Sequence, residues 1–114
     1  MHEMSIALSI VDIAEKEFKK SGAAKVTELE LEIGLLAGIE YDALEFAMQM
    51  AVKNTVLEKA VLKLDKPAGL AKCNDCGLEF EVKEMIFSCP DCKGYNNSLI
   101  RGKELRVKSL LVDD

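Results

Sequence analysis

The sequence predicts an α+β protein: a small three-stranded sheet covered by two helices, with an inserted zinc-ribbon-like lobe. Three observations predict it. Apolar residues recur at helical spacing in two segments and alternate in three others, and all four cysteines fall in one stretch before the last strand, as two C-x-x-C turns. A chain of 114 residues suits one compact domain with one small lobe, and a hydrophobic content of 49% can build a modest core.

The first helix is read from Met4 to Lys20, where Ile6, Ile10, Ile13, Ala14 and Phe18 recur at steps of three and four and Asp12, Glu15, Lys16 and Lys19 stay wet. Lys16, Lys19 and Lys20 gather at its C-terminal end, where the helix dipole favours cations, and Gly22 can take the left-handed conformation that stops it. His2 and Glu3 stand just ahead of its first turn. From Lys25 to Ile33 the period changes to two: Leu29, Leu31 and Ile33 face inward, and Glu28, Glu30 and Glu32 outward.

After a turn from Gly34 to Gly38, Leu44, Ala47, Met48 and Ala51 mark the second helix, with Glu40, Asp42 and Glu45 near its positive N-terminal end. Met48 and Met50 read as core filler. Ala60, Leu62 and Leu64 alternate with Val61, Lys63 and Asp65 as a second strand, and Leu105, Val107 and Leu111 supply a third. The outward glutamates of the first strand can pair with Lys63, Arg106 and Lys108 on its neighbours.

Residues 67–102 hold every cysteine and both prolines, so they read as an inserted lobe within a discontinuous base made of residues 1–66 plus 103–114. The net charge of −5 argues against general attraction to nucleic acid or to an anionic membrane, both of which need clustered Lys and Arg. No run approaches the roughly 20 apolar residues of a membrane span, and the first residues lack the layout of a secretory signal. The expected location is the cytoplasm, where cysteines serve as metal ligands more often than as disulfides.

Cys73 and Cys76 form one C-x-x-C, and Cys89 and Cys92 the other. Each such turn aims two thiolates at one point, and two turns complete the tetrahedral tetrathiolate that structural Zn²⁺ favours. Gly77 and Gly94 are expected to let the chain turn past the second sulfur of each pair. A redox dithiol needs only one C-x-x-C, in a thioredoxin-like context that is missing here. So small a lobe buries little core, and the metal should supply its folding energy, with Leu78, Phe80, Val82 and Phe87 as its apolar packing.

The order of motifs says more than the lobe alone. MHE at the start, LEIG at Leu31 to Gly34, GIEYDALEFAMQ opening the second helix, the two Cys pairs and a returning RGKELRVKSL strand together resemble the HypA/HybF family, the nickel metallochaperones of nickel–iron hydrogenase maturation. The resemblance covers essentially the full chain. It implies a nickel site at the free N-terminus on Met1, His2 and Glu3, and zinc ligands at Cys73, Cys76, Cys89 and Cys92. It also implies an acidic residue after the Ile-Gly pair that supports nickel; Glu40 matches it, with Asp42 nearby. The competing reading of Glu40 is a solvated helix-start carboxylate.

His2 is the chain's sole histidine. A second-position histidine can be an incidental part of a frayed terminus. Chemistry favours the other reading, because the Met1 amine, the His2 amide nitrogen and the His2 imidazole can close adjacent chelate rings around one ion. Nitrogen-rich tetragonal sites suit Ni²⁺ or Cu²⁺, and a terminal amine and an imidazole both give up protons to a metal near neutral pH. An exposed site of this kind suits a carrier, which must release its cargo.

The chain departs from some family members in having Asn74, Asp75, Pro90, Asp91 and Lys93 around the Cys pairs where they carry histidines, so histidine-based signalling between zinc and nickel lacks its residues here. The first reading is therefore a nickel carrier with Ni(II) as cargo and structural Zn(II), docking, as the resemblance implies, on a nickel-handling GTPase and on the hydrogenase large subunit precursor. It is not read as an enzyme: there is no nucleophile–base pair and no G-x-x-x-x-G-K phosphate loop. The alternative is a zinc-ribbon interaction module of a transcription or translation complex, weakened by a lobe whose lysines are interleaved with acids. A monomer and a homodimer both stay open, with exchange of an element as one route to the dimer.

Overall fold

A computed structural model describes residues 2–114, which fold as two compact units. One takes residues 2–32, Ile39–Asp65 and Arg106–Asp114; the other takes Ile33–Gly38 and Lys66–Leu105.

In the first unit, helix α1 runs Glu3–Ser21, capped by His2 and stopped by Gly22 at φ 70°. Glu3 in its first turn and Lys19 and Lys20 in its last complement the helix dipole. Its buried face is Ala7, Ile10, Val11 and Ala14. Ile13, expected in that stripe, is exposed, because it lies roughly 100° round the helix from Ala14. Helix α2, Tyr41–Ala51, buries Leu44, Ala47 and Met48 and packs on α1. Met50 is not core filler: two residues beyond Met48 it points to nearly the opposite side and is exposed.

Strand β1, Lys25–Ile33, is central in a sheet of order β2-β1-β6, with β2 at Val61–Asp65 and β6 at Leu105–Asp113. β2 is parallel to β1 and sets Leu62 beside Leu29 and Leu64 beside Leu31. β6 runs the other way: the Thr27 hydroxyl donates to the Leu111 carbonyl at 3.2 Å, and Arg106 meets Glu32 at 2.6 Å. The alternation expected of β6 breaks between Ser109 and Leu110, both half-buried, and Leu105 and Leu111 are exposed. An edge strand with one neighbour tolerates such a break.

On the outer sheet face, Lys63 pairs with Glu28 at 3.0 Å and Arg106 with Glu32, as the alternation predicts. Lys108 instead reaches Asp65 on β2, at 2.7 Å, while Ser109 donates to Glu30 at 3.3 Å. The register explains the change of partner. Glu32 lies beside Asp65, and like charges side by side need a cation each.

The second unit contains β3 (Gly69–Cys73), β4 (Glu79–Val82) and β5 (Asn97–Arg101), an antiparallel sheet of order β4-β3-β5. Its core is Leu36, Ala71 and Val82, flanked by Phe80, Phe87 and Leu99, with the two phenyl rings edge to face at 5.9 Å. Leu78, expected to pack here, is exposed, whereas Leu36 arrives from the turn after β1. That turn is bonded along its length: Gly34 N–H to the Glu104 carbonyl (2.9 Å), Leu35 N–H to Pro67 (3.1 Å) and Leu36 N–H to Gly102 (2.8 Å). A Cβ at Gly34 would overlap the Gly102 carbonyl, so this approach requires glycine. Among the described residues, no helix is long and apolar enough to cross a membrane.

Candidate metal centres

β3 delivers Cys73 to the first cysteine turn. Cys73 N–H donates to the Leu78 carbonyl at 2.8 Å, and Gly77 N–H donates back to the Cys73 carbonyl at 2.9 Å. The second turn repeats both bonds at the same offsets: Cys89 N–H to Gly94 at 2.8 Å, and Lys93 N–H to Cys89 at 2.9 Å. In each, the residue after the second cysteine is left-handed, Gly77 at φ 82° and Lys93 at φ 65°. The sequence assignment of this role to Gly94 is thus corrected to Lys93. At Gly94 a Cβ would make only ordinary contact with the Cys92 sulfur and the Asp75 carboxylate, both 3.4 Å away.

The two turns face each other so that sulfurs from different pairs approach most closely, Cys73 to Cys92 at 3.5 Å and Cys76 to Cys89 at 3.6 Å. All four lie within 4.8 Å of one another. A tetrahedral zinc with Zn–S bonds of about 2.3 Å requires sulfur separations of about 3.8 Å, so the cluster fits that ion. Cys73 and Cys89 are buried, whereas Cys76 and Cys92 are exposed.

The electrostatics of the bare cluster alternate. Backbone N–H groups of Cys92 and Asp91 hold the Cys89 thiol down at about 7, against the opposing effect of burial. Cys73 is lowered in the same way, first by the Cys76 N–H. At Cys76 the Leu78 N–H pulls downward, but the Cys89 sulfur and burial outweigh it, and the thiol is pushed up to about 12. Cys92 is likewise raised: the Gly94 N–H opposes the change, while the Cys73 and Cys89 sulfurs impose it. Four thiolates cannot share this space without a cation, and a dication removes the repulsion.

A polar network braces the first turn. The Asn74 amide donates to the Ser98 hydroxyl (2.9 Å) and to Asn96 Oδ1 (3.3 Å), Ser98 donates back to Asn74 Oδ1 (3.2 Å), and Asn96 donates to Asp75 (3.2 Å). Sequence reasoning missed this network. Its only local signal is turn-favouring Asn and Asp inside and after the Cys pairs, and the partners are over 20 residues apart.

At the other candidate site, Met1 lies outside the described residues. His2 is exposed at the N-cap of α1; its carbonyl accepts the Ile6 N–H at 2.9 Å, and its imidazole makes no capping bond. Glu3 opens α1 and is buried, and its Oε2 accepts the Glu40 N–H at 3.3 Å. Glu40 is the N-cap of α2, exposed and with no capping bond from its side chain; Asp42 follows in the first turn. The fold therefore joins Glu3 to Glu40. Among the described residues, the four cysteines are the group of His, Cys, Asp or Glu side chains gathered closely enough to hold an ion, and His2, Glu3 and Glu40 do not converge in that way.

The family model for hydrogenase/urease nickel incorporation, metallochaperone, hypA, matches residues 1–112. The chain belongs to the HypA family. Two HypA relatives, both named hydrogenase maturation factor HypA, extend the agreement along the chain. The protein of Parabacteroides distasonis is 45% identical over 112 residues, covering 98% of this chain and 97% of its own. That of Geobacter metallireducens is 42% identical over 113 residues, covering 99% and 100%. The fold is shared with the solution structure of the Ni metallochaperone HypA from Helicobacter pylori, at TM-score 0.71 and 24% identity over 99% of this chain and 98% of that one. Membership of the HypA family makes the chain a metallochaperone of hydrogenase maturation, a maturation factor and not an enzyme, that works with the maturation machinery.

Proposed function

We propose that the chain carries Ni(II) at its free N-terminus, through the Met1 amine and the His2 amide and imidazole nitrogens, with Glu3 and Glu40 beside the cargo. The four cysteines hold a structural Zn(II). The observation that carries this reading is the placement of the sole histidine: His2 is exposed at the start of α1, and the next residue is tied to Glu40. Nitrogen donors of this kind suit nickel, and a solvent-facing site suits a carrier that must let go.

Delivery goes to the hydrogenase large subunit precursor, and because the sequence contains no phosphate-binding loop, nucleotide hydrolysis comes from a partner GTPase. Cysteines that are free and clustered as ligands suit a reducing compartment, the cytoplasm.

Metal analysis of untagged protein tests the reading. One zinc per chain should survive mild chelation and disappear in Cys73→Ser, while one added Ni(II) per chain should bind and be lost in His2→Ala with zinc retained. Retarded nucleic acid at physiological salt with no nickel uptake would support the zinc-ribbon module instead.

A further inference from the structure

We propose that Glu3 is a positioning residue for nickel and that its carboxylate is not one of the ligands: it pins the start of α2 to the start of α1, and so fixes the backbone of Glu40 one residue away from His2. This rests on the N-terminal reading above.

Burial separates Glu3 from the residues around it. It is 8% exposed, the sole buried polar or charged residue among those described, whereas His2 and Glu40 are exposed. A carboxylate withdrawn from water needs compensation. No Lys or Arg forms an ion pair with Glu3 among the described residues. What it has instead is the Glu40 N–H, accepted at 3.3 Å, and the positive ends of two helices, since it sits in the first turn of α1 and against the N-cap of α2.

The division of work follows. Among the described residues, the Glu40 side chain gives its own helix no capping bond and forms no ion pair. The Glu3 carboxylate is already engaged, and turning it toward a solvent-facing cargo would strand the Glu40 N–H. One hydrogen bond joins Glu3 to Glu40 across 37 residues of sequence, and one peptide link joins Glu3 to His2. Groups that orient metal-binding residues typically change affinity by 10–100-fold when removed, without touching the ion.

The conservative replacement separates positioning from ligation. Glu3→Gln keeps an oxygen that accepts the Glu40 N–H but removes the anionic donor, whereas Glu3→Ala removes both. Ni(II) titration of the untagged, zinc-loaded protein, read by absorption, is predicted to give Glu3→Gln the native spectrum and an affinity within about threefold of the parent. Glu3→Ala should bind roughly tenfold more weakly. Loss of affinity with an altered spectrum in Glu3→Gln would overturn the proposal, as would native affinity in Glu3→Ala. If Glu3→Ala folds poorly by circular dichroism, Glu3→Gln decides alone on the same criterion. His2→Ala runs alongside, and native nickel binding there sinks the N-terminal reading itself.

Discussion

Lys93 occupies in the second cysteine turn the place that Gly77 occupies in the first. Both are left-handed, and both donate their N–H to the carbonyl of the leading cysteine of their pair. The same hydrogen-bonded loop is therefore built once with a residue suited to that conformation and once with a residue that is strained in it.

This asymmetry predicts opposite effects at equivalent positions. Gly77→Ala should lower stability by about 1 kcal/mol and Lys93→Gly should raise it by a similar amount. Denaturant midpoints of the zinc-loaded protein check both signs; a loss in Lys93→Gly would contradict the equivalence.

The brace on the first turn gives a kinetic expectation. Asn74→Ala removes the reciprocal bond with Ser98 and the link to Asn96, worth about 1 kcal/mol net at an exposed site. Zinc should pass to a competing chelator about fivefold faster than from the parent. An unchanged rate would mean that the two leading-turn bonds hold the cysteines unaided.

Leu36 gives a third expectation. It is 5% exposed and completes the core of Ala71 and Val82, so Leu36→Ala should cost about 2–5 kcal/mol. Denaturant unfolding of the zinc-loaded protein measures this directly. A loss below about 1 kcal/mol would show that the small core closes over the gap.

The parts of the fold legible in sequence are those governed by local periodicity. The alternation of Leu29, Leu31 and Ile33 with three glutamates places β1, and the stop of α1 at Gly22 follows from its conformational freedom. The parts hidden are set by partners distant in the chain. Leu36 is an apolar residue in a turn until Gly102 accepts its N–H, and Lys108 is one more outward cation until the register sets Asp65 beside Glu32. The exposure of Ile13 and Met50 has a further cause: an apolar residue belongs to the core only if a neighbour covers it, and Ile13 stands at the edge of the stripe of α1 while Met50 stands off that of α2. For the sites, the spacing of the cysteines specifies their convergence, whereas nothing near Glu3 in sequence announces the bond to Glu40.

On the N-terminal reading, the Met1 amine is itself a nickel ligand. The most direct measurement is Ni(II) affinity after a few uncleaved residues are added before Met1, which keeps His2 and Glu3 but turns the amine into an ordinary amide. Nickel binding should collapse nearly as far as in His2→Ala, with zinc content and circular dichroism unchanged. An extended protein that still binds nickel with native affinity and absorption would contradict it.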